Sequence, residues 1–432
     1  MRVVRPPFKV LAERVRAAYS VTFSGPGEAR LFWEQLRIAP RPSPYDREPP
    51  EPIHPATLDG DTVHMPRALG RKLFKGTYAL PEYSRRSFTL ALPPRAHQAE
   101  PIDTIVDMFN NQGVSEAVLQ AGCGDGKTYT FLAIASRMGG RVMVLVHTSK
   151  LVEQWVEAVH KTLPDASVGI LKANKKPKDT DDIVIASIQT LVNRDETFEG
   201  YRLVGIDEAH HVPAASFSSV VGRIPCQRLA LSATPKGRSD GLEDLLFWLC
   251  GDMVHMQGPR VVASVEKLMF TTRVRQPGTP IQTRTRRRLS QEAARNQLIL
   301  KTVRQKFAEG HCVLVLSEFV EHCEALSAQT LNSGVFCGKL QRNVDAPVLY
   351  ASYAFCKEGV DLQRISCLVL AMPCPGNVEQ VLGRIRQAEP GSSRLPPVVV
   401  DIRDSPLYGQ FKYKRLDDFY TLRGWDARAV PV

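Results

Sequence analysis

The chain has 432 residues, 43% of them hydrophobic and 23% charged, with a formal net charge of +11. This balance suits packed cores, the length suits two or three domains, and the positive charge favours a polyanionic partner. No apolar run approaches the roughly 18 residues of a membrane helix, and Met1–Val10, with Arg2, Arg5 and Lys9 beside Pro6-Pro7, is unlike a signal segment, so membranes are excluded and a cytoplasmic location is expected. The nine cysteines are scattered and form no C-x-x-C pair; several sit in apolar runs such as Cys312-Val-Leu-Val-Leu. Buried reduced thiols are therefore expected, not a disulfide framework or a zinc site.

Residues 1–92 read as a small N-terminal accessory domain. Lys9–Tyr19 and Glu28–Leu36 are expected as short helices, and the proline-dense Pro40–Pro55 as a linker or exposed loop. Thr62–Lys72 reads as a strand followed by a helix starting at Pro66. Arg67, Arg71, Lys72 and Lys75 either line nucleic acid or form a solvated basic face. Deleting Met1–Leu90 is expected to spare the chemistry carried by the rest of the chain and to weaken its hold on nucleic acid.

From residue 93 to 258, apolar runs at Ala117–Gln120, Val142–His147, Asp182–Ile188, Leu203–Asp207 and Leu229–Ser232 alternate with helix-period segments such as Lys150–Leu163, for which Ser149 is a suitable N-cap. Apolar strands alternating with helices predict a parallel sheet covered on both faces, with ligands at the carboxyl ends of its strands.

The densest signal lies within Glu116–Arg137. Ala121-Gly122-Cys123-Gly124-Asp125-Gly126-Lys127-Thr128 has the spacing G-x-x-x-x-G-K-[ST], with Ala121 at the first glycine. Glycines let successive backbone N–H groups close around a polyphosphate, and the helix that follows aims its N-terminus at the same anion. Lys127 would reach the β- and γ-phosphates and Thr128 would hold Mg²⁺. The second half of such an ATP site needs a carboxylate pair at a strand end. Leu203-Val-Gly-Ile-Asp207-Glu208-Ala209-His210 supplies it, with Asp207 in the metal shell and Glu208 as general base.

Pro259–Leu289 reads as a connector in which Arg273, Arg275, Arg284, Arg286, Arg287 and Arg288 occur with no acid between them, either a solvated linker or a phosphate-contacting seam. Alternation then resumes: a helix over Gln291–Ala308, apolar runs at Val313–Ser317, Val348–Ala354, Cys367–Ala371 and Val398–Ile402, and a helix at Val378–Ile385. Ser405–Trp425 reads as a basic, aromatic helix whose rings pack into the core. The third segment, residues 259–432, is thus linker, second lobe and C-terminal helix.

Gly-Lys-Thr, Asp-Glu-Ala-His and Ser232-Ala233-Thr234, in that order, resemble a superfamily 2 helicase of the DEAH-box sort. Arg95-Ala-His-Gln98 resembles its adenine-reading segment, with Arg95 and Gln98 as nucleotide contacts. Val144-Leu-Val-His147-Thr148 with Leu151-Val-Glu-Gln-Trp155, and Ala186-Ser-Ile-Gln189-Thr190-Leu191, resemble its two nucleic-acid-contacting motifs. Leu314-Val-Leu-Ser-Glu318, the stretch holding Glu358-Gly359-Val-Asp361, and Gln380-Val-Leu-Gly383-Arg384-Ile-Arg386-Gln387 are similar to motifs IV, V and VI. The wording "DEAHHVPAASF" and "NVEQVLGRIR" is similar to that of XPB- and UvsW-like DNA helicases of tailed phages, with likeness from about Thr57 to Trp425.

The resemblance implies an α/β fold of two tandem RecA-like lobes, ATP and Mg²⁺ as cofactors, and a monomeric 3′→5′ translocase acting on single-stranded, forked or branched DNA or on RNA–DNA hybrids, in host cytoplasm if phage-encoded. Gly122, Gly124, Gly126, Lys127, Thr128, Gly359 and Asp361 would hold nucleotide; Gln380 and Arg384 would reach the γ-phosphate from the second lobe. His210, Ser232 and Thr234 would couple hydrolysis to movement, and His147, Thr148, Gln189 and Thr190 would contact nucleic acid. One departure stands out. The family's Q-x-x-G-R-x-x-R has Gln387 at its second arginine, with Arg386 one residue early and about 100° away on a helix. Arg384 is therefore the expected finger. Other readings are a duplex-DNA translocase subunit of a restriction or defence complex, a DNA-binding factor with a degenerate ATPase, and an RNA helicase.

Overall fold

The computed structural model describes residues 10–42, 48–76, 78–122, 124–173, 175–194, 198–236, 240–259, 261–275, 283–338, 340–354, 364–374, 381–382, 395–408 and 410–431. The chain divides into two compact units, Met1–Gly258 and Pro259–Val432.

The first unit opens with β1 (Val10–Val15), β2 (Ala18–Phe23), α1 (Pro26–Gln35), β3 (Thr57–Asp59), β4 (Thr62–Pro66) and α2 (Arg67–Phe74). Its four strands form an antiparallel sheet in the order β1-β2-β4-β3. The expected helix over Lys9–Tyr19 is instead two strands joined at Arg16-Ala17. The reason is a period of two: Tyr19, Val21 and Phe23 are buried under α1 and α2, and the residues between them are not.

The same unit continues with α3 (Ala96–Asn110), β5 (Glu116–Ala121), α4 (Lys127–Met138), β6 (Arg141–Val146), α5 (Ser149–Thr162), β7 (Val168–Leu171), β8 (Ile183–Ser187), α6 (Ile188–Val192), β9 (Tyr201–Ile206), α7 (Ala215–Gly222), β10 (Gln227–Ser232), α8 (Glu243–Cys250) and β11 (Asp252–Met256). Seven of these strands form one parallel sheet in the order β11-β5-β10-β9-β6-β8-β7. Every residue of β6 is buried, because Val142, Val144 and Val146 face one apolar cluster and Met143 and Leu145 the other. Gly205 in β9 admits α4: a Cβ there would stand 2.5 Å from the Phe131 ring. Helix α5 starts one residue earlier than expected, capped by Thr148, whose Oγ1 accepts the Leu151 N–H at 3.3 Å.

The described residues between 10 and 92 fall with the parallel sheet in one compact unit. Arg67, at the start of α2, is fully buried beneath that sheet and ion-paired to Glu116 at the start of β5. It also donates to the carbonyls of Arg16 (3.0 Å), Pro225 (2.7 Å) and Cys226 (2.8 Å). Burial alone would raise the Glu116 carboxyl, but Arg67, Arg228 and Arg71 hold it below its ordinary value. Arg228, also buried, donates to Leu249 O (3.0 Å) and to Ala17 O (2.7 Å). Deleting residues 1–90 would strip the buried Glu116 carboxylate of its Arg67 partner.

The second unit comprises β12 (Ser264–Thr271), α9 (Thr283–Ser290), α10 (Ala293–Ala308), β13 (Val313–Ser317), α11 (Val320–Ser327), β14 (Ser333–Cys337), β15 (Leu340–Arg342), β16 (Val348–Ser352), β17 (Cys367–Leu370), β18 (Val398–Ser405), α12 (Gln410–Arg423) and β19 (Asp426–Val430). Its sheet runs β15-β14-β16-β13-β17-β18-β12-β19, parallel except for the β14–β15 pair. The expected connector thus contains a sheet strand, β12, held by β18 and β19 from the far end of the chain. Two of its arginines serve structure: Arg286 meets Glu318 at 3.0 Å, and Arg287 lies 5.3 Å over the Phe319 ring. Buried Arg295 clamps Asp404 through two bonds of 2.5 and 3.0 Å. Described rings of α12 are core, with Tyr413, Phe419 and Tyr420 buried beside Trp425. Cys226, Cys250, Cys312, Cys323, Cys337 and Cys367 are free thiols. Among the described residues, no helix is long and apolar enough to cross a membrane.

Candidate active site and nucleic-acid edge

The carboxyl ends of β5, β10, β9, β6 and β8 lie side by side in that spatial order. They carry, respectively, the glycine-rich loop, Ser232, Asp207-Glu208, His147-Thr148 and Ser187 ahead of Gln189. Segments dispersed over some 110 residues of sequence thereby form one row.

In the loop, Gly124 and Gly126 take φ of +90° and +88°, a region open to glycine and strained for other residues, and α4 begins at Lys127. Lys127 Nζ donates to the carbonyls of Ala121 (3.1 Å) and Gly122 (3.3 Å). The Asp125 carboxylate folds back to accept the Gly122 N–H at 2.9 Å, occupying one amide of the curl. Gln98 is 2% exposed. Its Oε1 accepts the Arg95 N–H (2.9 Å) and its Nε2 donates to Asp125 O (3.2 Å), so it braces the loop from α3. Arg95 is exposed at the N-cap of α3.

Asp207 follows the last residue of β9. Its Oδ1 accepts the Glu208 N–H at 3.0 Å and its Oδ2 accepts the Trp155 indole N–H at 2.8 Å. Burial, then the neighbouring Glu208 charge, push the Asp207 carboxyl up; Trp155 and Lys127 pull the other way. Burial also opposes ionisation of Glu208, but the His210 hydrogen bond, Lys127 and His147 outweigh it and hold that carboxyl below its ordinary value. His210 Nδ1 lies 3.3 Å from Glu208, and its ring lies tilted against His211 at 4.2 Å between centroids, with His211 in turn 4.7 Å from His147. Ser232 is buried, its Oγ accepting the Thr234 N–H at 3.2 Å.

The four expected nucleic-acid residues share this edge. Gln189 Nε2 donates to His147 O at 3.0 Å, and Thr190 Oγ1 accepts the Ala173 N–H at 3.2 Å. Ala173 lies in a tight turn closed by reciprocal Lys172–Lys175 backbone bonds of 3.2 and 2.7 Å. Lys175, Lys176 and Lys178 are exposed there, while nearby Asp182 is engaged by Arg86 (2.8 Å) and Ser167 (2.7 Å). Gly359, Asp361, Gln380, Arg384, Arg386 and Gln387 lie outside the described residues.

Three features escaped the sequence reading. Trp155 was named only as the end of a segment resembling a nucleic-acid-contacting motif; only the fold reveals the target of its N–H. Asp125 was an unassigned loop residue. The lysine turn was a run of charge with no indication of where it would sit, although "LKANKKPK" was a signal that could have been weighed.

The architecture, two parallel α/β sheets with helices, is that of two-lobed RecA-like helicase domains. The helicase domain of Pyrococcus furiosus Hef superposes with a TM-score of 0.51 at 13% identity, covering 74% of this chain and 98% of that one. S. cerevisiae Dbp5 bound to RNA and ADP BeF3 gives 0.52 at 12% identity, covering 78% and 94%. Residues 91–237 match the family model described as the res subunit of Type III restriction enzymes.

Three viral relatives extend the likeness. A protein of Acanthamoeba polyphaga mimivirus, named a putative ATP-dependent RNA helicase, is 25% identical over 355 residues, covering 75% of this chain and 66% of the relative, slightly under two thirds of its length. A protein of African swine fever virus with the same description is 24% identical over 408 residues, covering 82% and 78%. A probable helicase of Escherichia phage T5 is 26% identical over 309 residues, covering 65% and 66%. Fold, family match and relatives together support a superfamily 2 helicase.

Proposed function

We propose that the chain is an ATP-dependent DNA translocase that remodels forked or branched DNA or R-loops with 3′→5′ polarity, working as a monomer. The observation that carries this reading is the row of strand ends, where a phosphate-binding loop, a carboxylate pair and the His147–Thr190 edge share one side of one sheet. Backbone amides from Gly122 to Gly126, with Lys127, would receive the β- and γ-phosphates. The residues fit a magnesium nucleotide: Thr128 and Asp207 would hold Mg²⁺, which neutralises charge developing on the transferred phosphoryl group. Glu208, kept ionised by His210 and Lys127, would take the proton of the attacking water. Gly359, Asp361, Gln380 and Arg384 would complete the nucleotide contacts, with Arg384 as the finger. Contacts to the strand would be to phosphates, hence tolerant of sequence and sensitive to salt.

The test is steady-state ATPase rate with and without single-stranded, duplex and forked DNA, and with matched RNA, using Lys127→Ala as the blank. Stimulation greatest with forked DNA and absent in the variant is expected. A rate equal to the blank while DNA still binds would overturn the motor and favour a DNA-binding factor with a degenerate ATPase. A second reading, RNA as the substrate, is favoured by relatives named as RNA helicases; greater stimulation by RNA would establish it. Duplex DNA stimulating without strand separation would favour the translocase subunit of a restriction or defence complex.

A further inference from the structure

We propose that Trp155 is a positioning residue for the metal-binding carboxylate, joining helix α5 to Asp207 so that the nucleic-acid edge and the ATP site share one rigid part. This inference rests on the reading of Asp207 as a Mg²⁺ ligand. An isolated carboxylate at a strand end can rotate. Here its two oxygens are held by two donors from different elements, the Glu208 N–H at 3.0 Å on Oδ1 and the Trp155 indole at 2.8 Å on Oδ2. Each oxygen has two lone-pair directions, so each keeps one for a cation after accepting a single bond. The plane of the carboxylate is thus set before any ion arrives.

The indole itself cannot shift easily. Trp155 is 2% exposed, and its ring takes the edge of Phe131 at 5.7 Å and 86°. Phe131 belongs to α4, the helix that begins at Lys127, and it packs against Gly205 just ahead of Asp207. The Trp155 ring is therefore packed against the helix of the phosphate-binding loop and bonded to the strand of the carboxylate pair. It sits seven residues after Thr148, which caps the same helix α5. A change in that first turn, where the strand is expected to bind, would move the indole with the helix as a unit.

The experiment uses the full chain and follows binding of a fluorescent ADP analogue, at equilibrium, in EDTA and across a MgCl₂ titration. Trp155→Phe keeps ring packing and removes the N–H; Trp155→His offers an N–H at similar reach from Cβ. Thermal melting and near-ultraviolet circular dichroism confirm that each variant is folded. In the Phe variant, affinity in EDTA is expected to stay within about twofold, while the MgCl₂ needed for half-maximal tightening rises about tenfold, as loss of one charge-assisted hydrogen bond implies. The His variant is expected to recover most of that shift, which a purely structural role for the ring would not produce. An unchanged MgCl₂ requirement in a folded Phe variant sinks the inference and leaves the proposed function standing. Nucleotide binding that ignores Mg²⁺ in the unsubstituted protein would instead sink the assignment of Asp207, and the inference with it.

Discussion

Arg67→Met is the sharpest test of how the first unit is held together. The guanidinium is fully buried, paired to a Glu116 side chain that is also inaccessible, and it donates to three main-chain carbonyls at 2.7 to 3.0 Å. Removing one partner of a buried pair typically costs about 3–5 kcal/mol, because the other charge stays buried. Some of that is offset, since Arg71 remains 3.4 Å from Glu116 and Arg228 still acts on it. Unfolding in urea should therefore show a loss of roughly 3 kcal/mol against a total of about 5–15 kcal/mol, with an unchanged slope. The pH dependence carries a second signature. Glu116 titrates below its ordinary value of 4.5 in the fold, so the unfolded chain binds more protons under acid conditions. Its contribution is fully present above about pH 4.5 and is lost as pH falls through the folded value. In the variant, with less positive charge beside the carboxylate, this slope of stability against pH should flatten. A loss under about 1 kcal/mol, with the same slope between pH 3 and 5, would refute the view that this pair ties residues 1–92 to the parallel sheet.

Asp125→Asn should lower the KM for ATP by roughly two- to fivefold, since it removes a negative charge that repels polyphosphate while its amide oxygen can still accept the Gly122 N–H; a KM unchanged or raised in steady-state assays would refute this. Converting Lys175, Lys176 and Lys178 together to Ala should reduce the slope of log affinity against log salt for single-stranded DNA by about 2, at roughly 0.7 per phosphate contact, without changing ATPase activity in the absence of DNA. An identical salt slope would show that the lysine turn lies off the strand's path. Gly205→Ala places a methyl 2.5 Å from the Phe131 ring and should cost about 1–3 kcal/mol in urea unfolding, by overpacking; a neutral effect would mean that α4 can retreat from the sheet.

Local sequence was enough for whatever depends on local chemistry. Gly122 to Thr128 announce their use because closing a chain around phosphate demands glycines, a lysine and a helix start at fixed spacing. Asp207-Glu208 after an apolar run was legible for the same reason, and continuous apolar strands such as Val142–Val146 signalled a sheet buried on both faces. The misreadings fell where neighbours distant in the chain decide the outcome. Val10–Phe23 became a hairpin because β4 and the helices above it reward a period of two. Ser264–Thr271 became a strand because β18, more than a hundred residues later, supplies its partner.

The sequence alone therefore singled out the groups proposed to do the chemistry: Lys127, Asp207 and Glu208 are named by motifs whose spacing follows from the geometry of a loop or a strand end. Only the tertiary structure decided their arrangement. Strand order β5-β10-β9-β6-β8 sets the loop beside Ser232, Asp207 and His147, an adjacency that sheet pairing creates and chain order does not contain. The targets of Trp155, Gln98 and Arg67 belong to the same category, since a hydrogen bond across 27 to 158 residues is settled by packing, and packing is a property of the whole fold.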